Sequence, residues 1–270
     1  MTSVALISST NGLGHARRLS YLAVGFSNLG ISTKLFVTEK QASKLTFESK
    51  DLGSKINLFK ISNHGLDGPS WKSDKVSVTP PSPLVIAELA NCSAVISDNV
   101  IWPIKYNSNF YLHGHFNWID YWEKEESLLE STEMDILKTE KSYMRSIKSW
   151  FVSEDFYMPG SELSTIEKVK MPLIQYSSKK IEKNAYYRQN QIWNSNGTTK
   201  LNIDSKFARI AADKVKHQVI VAETFQLAKV KEFPSCVIGR PGLGTIRDCL
   251  EAGIPFLPVW EGSDPELESN

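Results

Sequence analysis

The chain has 270 residues, 41% of them hydrophobic and 23% charged, with a formal net charge of +1. That length accommodates one large α/β domain or two smaller ones, and the balanced charge supplies no global field for nucleic acid. Three cysteines without a CxxC pair, Cys92, Cys236 and Cys249, argue against a disulfide framework or a zinc site and for a reducing, cytoplasmic setting.

The N-terminus has no basic segment and too short an apolar run for a signal peptide. No stretch approaches the ~20 apolar residues of a membrane helix. Peripheral contact with the inner face of a membrane stays open on composition. From the N-terminus, "SVALISS" reads as a strand and residues 16–29 as a helix stopped by Gly30. "STKLFVTE" and "KINLFKI" read as the next strands. "PLVIAELANC" reads as a helix by its apolar stripe, and "SAVISDN" as a buried strand ending at Asp98. "NFYLHGHF" is a further strand ending near His115. The stretch from Trp122 to Trp150 holds no Gly or Pro and reads as one long helix. "WFVSED" and "PLIQYS" follow as strands. After the basic connector "SKKIEKNAYYRQ" the rhythm restarts: strand "NQIWNS", turn "NGTT", helix "DSKFARIAADK", strands "HQVIVAE" and "SCVIG", helix "GTIRDCLEA" and strand "PFLPVW". Strand–helix alternation implies parallel sheets, and the restart implies two of them.

Between the first strand and the first helix stands "NGLGHARR", Asn11–Arg18. It lacks the lysine and spacing of a P-loop. It meets two of the three glycines of a dinucleotide turn, but Arg17 occupies the third position, even though Glu39 stands near the end of the second strand. Gly12 and Gly14 still let the backbone approach a ligand, and the helix N-terminus favours negative charge. His15 would face the crevice beyond the strand ends. It reads either as a general base or as a helix cap. Asp98, at another strand end, reads as the base itself, as the group that orients His15, or as a turn cap. His113 and His115 lie two apart with no third ligand, so cleft lining is expected of them rather than a metal. Arg17 and Arg18 are expected on the solvent face of their helix, with contact to phosphate or lipid headgroups as the alternative.

The second constellation is "VIGRPGLGTIRDCLEAGIPFLPVWEGSDPELESN". Gly239, Gly242 and Gly244 make its turn permissive, and Thr245 is expected to cap the helix through its hydroxyl. The N–H groups of Gly244, Thr245 and Ile246 would point at a diphosphate. Asp248 is expected on the rim, where a carboxylate accepts from a ribose. Gly253 and Pro255 end the helix, and Asp264 and Glu266 are placed to meet sugar hydroxyls.

This segment resembles the donor-binding half of GT-B glycosyltransferases. The likeness is to the N-acetylglucosaminyltransferase that makes lipid II and to the diacylglycerol glycosyltransferases. Their donor motif runs Arg-x-Gly-x-x-Thr-x-x-Glu-x-x-x-x-Gly-x-Pro, followed by a proline-bearing strand and further acidic or amide residues. This chain offers Arg240, Gly242, Thr245, Asp248, Gly253, Pro255, Pro258, Asp264, Glu266 and Asn270. The resemblance implies that Asp248 holds the ribose, although it is one methylene shorter than the family's glutamate. It also implies that Glu266 meets the donor sugar, where an acid accepts but cannot donate. "GLGH" resembles the family's N-terminal turn, which implies that Gly14 and His15 line the cleft. "GxGHxxR" is also similar to the nucleotide-sugar hydrolase of pseudaminic acid synthesis, in which the equivalent histidine is catalytic.

The expectation is an α/β protein of two Rossmann-like domains in GT-B arrangement, residues 1–184 for the acceptor and 185–270 for the nucleotide-sugar, the second shortened. The expected activity is inverting transfer of a sugar from a nucleoside diphosphate, expected to be UDP, to an acceptor hydroxyl. The acceptor, whether glycan, lipid or small molecule, is left open. No cofactor or metal is expected, and a partner chain could complete the second domain. The alternatives are a nucleotide-sugar hydrolase or epimerase of the same fold, or a non-catalytic binding module.

Overall fold

The computed structural model describes residues 2–45, 56–68, 78–153, 165–171, 188–195, 209–210, 213–216, 218–222, 233–239 and 241–259. The chain divides into two compact units, Met1–Tyr176 and Ser177–Asn270. In the first unit the strands are Ser3–Ile7 (β1), Ser32–Val37 (β2), Ile56–Lys60 (β3), Ala94–Asp98 (β4), Phe110–His113 (β5), Trp150–Ser153 (β6) and Lys168–Met171 (β7). They form one sheet in the order β3-β2-β1-β4-β5-β6-β7, with every neighbouring pair parallel.

A parallel sheet is stable when both of its faces are covered, and β1 is buried accordingly along four of its five residues. Its side chains alternate between faces. Val4 and Leu6 pack with Ala16, Leu19 and Ala23 of the helix Gly14–Asn28 (α1). Ala5 and Ile7 pack on the other side with Phe36, Val95, Phe110 and Trp150. Each fully buried Leu or Ile contributes roughly 1.5–3 kcal/mol by leaving water. Chain order and sheet order part company at β1. The chain runs outward to β2 and β3, then returns to place β4 on β1's other side, with Ile7 opposite Ser97. The carboxyl ends of β1 and β4 are therefore a topological switch point, where open α/β sheets bind ligands.

The helices depart from expectation in two places. A short helix, Glu39–Lys44 (α2), follows β2 and was not expected. Thr38 and Gln41 close it with a reciprocal capping box. The helix Pro83–Ala90 (α3) lies where its apolar stripe placed it; Ser82 caps it and Pro83 stands in its first turn, signals that the stripe reading had not used. The single helix expected over 122–150 is instead two, Trp118–Lys124 (α4) and Ser131–Tyr143 (α5), with 3-10 turns at Glu126–Leu128 and Met144–Ser146. Asn117 caps α4, and the Glu130–Glu133 capping box starts α5. Leu129 packs against the core between them, which charge pattern alone could not reveal. The strand expected over 172–177 lies outside the described residues, and β7 stands just before it.

In the second unit the described strands are Arg188–Ser195 (β8), Gln218–Ala222 (β9), Phe233–Gly239 (β10) and Phe256–Pro258 (β11), with the helix Leu243–Ala252 (α6). The sheet order is β11-β10-β8-β9, again parallel throughout. Val237, Cys249 and Ile254 pack α6 onto it. Gly253, left-handed at φ +64°, ends α6. The turn expected at 196–199 lies outside the described residues, as does most of the helix expected over 204–214. Both units thus have the Rossmann-like α/β character expected. Among the described residues no helix is long and apolar enough to cross a membrane.

Candidate active site

The loop that follows β1 is tied down from two sides. Gln41 Nε2 donates to the carbonyls of Ser9 and Gly12, both at 2.7 Å. Asp67 is buried and accepts from Ser9 Oγ and Thr10 N at 2.5 Å, and from Thr10 Oγ1 and Gly68 N at 2.8 Å. Gly12 takes φ +76°, a conformation that side chains other than glycine's rarely tolerate. Leu13 then precedes α1 without any side-chain cap. The first turn of α1 therefore keeps its dipole and amides for a ligand. A Cβ added at Gly14 would meet no protein atom within 4 Å, so the backbone there can be approached closely.

His15 is the second residue of α1 and is only 6% exposed. Parallel pairing of β1 with β4 delivers Asp98 beside it. His15 Nδ1 lies 3.2 Å from Asp98 Oδ1. Arg18, one turn along the same helix face, forks onto that carboxylate, with Nη2 2.7 Å from Oδ1 and Nε 2.9 Å from Oδ2. The solvent-facing position expected for Arg18 is thus corrected: a fully buried carboxylate needs a cation, and Arg18 supplies it. Arg17 instead donates to Tyr21 Oη at 2.8 Å. Burial alone would raise the Asp98 carboxyl. Arg18, and then His15, outweigh that and hold it well below the usual carboxylate range. Asp98 is therefore an ionised acceptor. His15 Nδ1 is directed at Asp98, and Arg18 Nη2 lies at the same 3.2 Å from it, so Nε2 is the ring nitrogen these two groups leave unengaged.

His113 ends β5 with Nδ1 3.6 Å from Asp98 Oδ2, too far for a hydrogen bond. His115 is buried. Among the described residues no group of three His, Cys, Asp or Glu has the geometry to hold a metal.

At the second turn, Gly242 is the N-cap of α6 and no side chain caps it. The capping role expected of Thr245 is corrected, because Thr245 lies inside the first turn. Its N–H and that of Ile246 donate to Gly242 O at 2.9 and 3.0 Å, so those two amides are already bonded. Gly244 stands within the same first turn. Asp248 is 1% exposed rather than on the rim. Arg247 Nη2 and Nε hold its Oδ1 at 2.5 and 3.2 Å, which turns the carboxylate inward. Arg240, Asp264 and Glu266 lie outside the described residues. Glu39 opens α2 and pairs with Lys60 at 2.5 Å.

Sequence reasoning brought His15 and Asp98 forward but missed the parts that hold them. The spacing of Arg18 from His15 and the Thr38-x-x-Gln41 capping signature were readable. Asp67 carried no local signal.

No protein-family model matches the sequence, and no curated protein matches it. Solved structures do share its fold. Phytolacca americana UGT2, complexed with UDP-2-fluoro-glucose and pterostilbene, is similar with a TM-score of 0.60 at 11% identity, over 96% of this chain and 80% of that one. The spinosyn forosaminyltransferase SpnP is similar with a TM-score of 0.60 at 11% identity, over 98% and 81%. The glycosyltransferase of kitacinnamycin gives 0.56 at 11%, over 99% and 83%. At such identity the likeness establishes the fold, that of GT-B glycosyltransferase structures.

Proposed function

We propose that this protein is a glycosyltransferase that moves a sugar from a nucleoside diphosphate-sugar, UDP-linked, to an acceptor hydroxyl with inversion. The observation that carries this reading is the buried His15–Asp98 couple, 3.2 Å apart at the switch point of a fold shared with sugar transferases. In this reading His15 Nε2 takes the acceptor's proton as its oxygen attacks the anomeric carbon. The new C–O bond forms on the face opposite the departing diphosphate, whose C–O bond breaks. Asp98 holds the ring in place and stabilises the imidazolium. The diphosphate is stabilised by helix N-termini rather than by a required metal.

Donor binding is proposed for Gly14, Arg240, Gly242, Gly244, Thr245, Asp264 and Glu266. Asp248 joins them only after leaving Arg247. The finer likeness, to enzymes of lipid II and glycosyl diacylglycerol synthesis, makes a membrane-face glycan or lipid one acceptor to test alongside small molecules.

The test is turnover of UDP-sugars with an acceptor panel, analysed for glycoside and for free sugar. Replacing His15 by Ala is expected to cut kcat by ~10²–10⁴. A loss under threefold in an active preparation would sink the catalytic role. Free sugar released without acceptor would instead identify a hydrolase, the reading suggested by "GxGHxxR".

A further inference from the structure

Asn99, directly after the carboxylate of the couple, has φ +65°, a left-handed conformation in a residue that is not glycine. It is 1% exposed. Such conformations are unfavourable for an L-residue, although asparagine tolerates them best. The turn has a local consequence: it carries the side-chain amide back between β4 and β5 towards His15.

The orientation of that amide follows from its neighbours. One end of the amide lies 2.7 Å from Phe116 O and 3.3 Å from His113 O, both acceptors only, which assigns the nitrogen to that end. The other end of the amide, its carbonyl oxygen, therefore faces His15 Nδ1 at 3.5 Å. Gly114, at φ +124°, closes the seat, since a Cβ there would come within 2.9 Å of Asn99 Cγ.

His15 Nδ1 consequently faces three groups of two kinds. Asp98 Oδ1 at 3.2 Å, and the Asn99 carbonyl at the outer hydrogen-bond limit of 3.5 Å, favour a proton on Nδ1. Arg18 Nη2, also at 3.2 Å, can only donate and would suit a bare Nδ1. Without Asn99 the ring is contested by one acceptor and one donor at equal distance. A proton on Nδ1 leaves Nε2 as a base, whereas the other tautomer makes Nε2 a donor unable to take a proton.

We infer that Asn99 is a positioning residue that fixes His15 in its Nδ1–H tautomer. The inference deepens the general-base reading of His15 and rests on it for its catalytic meaning, but the tautomer can be observed independently. The experiment is long-range ¹H–¹⁵N correlation of the histidine side chains in the full chain, at a pH where the ring is neutral. His15 is assigned from its absence in His15→Gln. Wild type is expected to show protonated Nδ1 and bare Nε2. Asn99→Gly accepts the positive φ and so keeps the turn. It should move His15 towards the Nε2–H form and lower kcat on the order of tenfold or more. An Nε2–H wild type, or an unchanged tautomer in Asn99→Gly, overturns the inference. A changed tautomer together with an undiminished rate in His15→Ala supports the inference and defeats the general-base reading instead.

Discussion

Arg18 and His15 stand three residues apart on one helix face and both end on the same buried carboxylate. Asp98 thereby stays ionised although fully buried, at the cost of a cation that competes for the histidine. A second buried acid resolves the same problem differently. Glu140 is 4% exposed. Its Oε1 accepts from Leu66 N at 3.1 Å, while Oε2 has no hydrogen-bond partner among the described residues. Burial outweighs the Leu66 bond and, with a smaller contribution from the charge of Asp67, pushes its carboxyl up to about 8. The folded protein then holds this proton between pH 4.5 and about 8, where an unfolded glutamate has lost it. Stability from this group is fully present below about 4.5 and declines as pH rises towards 8. Glu140→Gln keeps an acceptor for Leu66 N and never ionises. It should match wild type in urea unfolding at acid pH. At alkaline pH it should exceed wild type by a few kcal/mol, since each pH unit across that window removes about 1.4 kcal/mol from the wild-type protein. A difference that does not change with pH would refute this. The sequence shows Glu140 as one acid among many on a charged helix. Only packing distinguishes it.

Single elements were legible where their signals are local. Ser82 followed by Pro83 announces α3, and Ser82 Oγ accepts from Val85 N at 3.3 Å. Ser82→Ala is expected to lower stability by about 1 kcal/mol, read as a lowered urea midpoint with unchanged slope. An unchanged midpoint would mean that α3 starts without this bond. The α2 box Thr38-x-x-Gln41 was equally local. Its second service, Gln41 donating to the Ser9 and Gly12 carbonyls, was not. The split between α4 and α5 was hidden for a related reason. Helix-compatible residues continue through the break, and what stops them is Leu129 packing on the core.

For the whole molecule, nucleotide binding is the most direct check. A ligand that binds only the folded state stabilises it by RT ln(1 + [L]/Kd), about 2.7 kcal/mol at a hundredfold excess over Kd. Millimolar UDP should therefore raise the thermal midpoint, and no rise would argue against a UDP-sugar donor. The sequence by itself determined the strand–helix alternation, the parallel sheets it implies, and the glycine turns at Gly12–Gly14 and Gly242–Gly244. It also singled out His15 and Asp98. These are legible because strand period, helix period and turn chemistry act within a few residues. Tertiary structure alone decided that β4 lies beside β1, bringing together two side chains 83 positions apart. It likewise turned Arg18 onto Asp98, and buried Asp248 where the rim was expected. The physical reason is that a buried charge takes whichever partner the folded chain brings within reach, and strand order sets that reach.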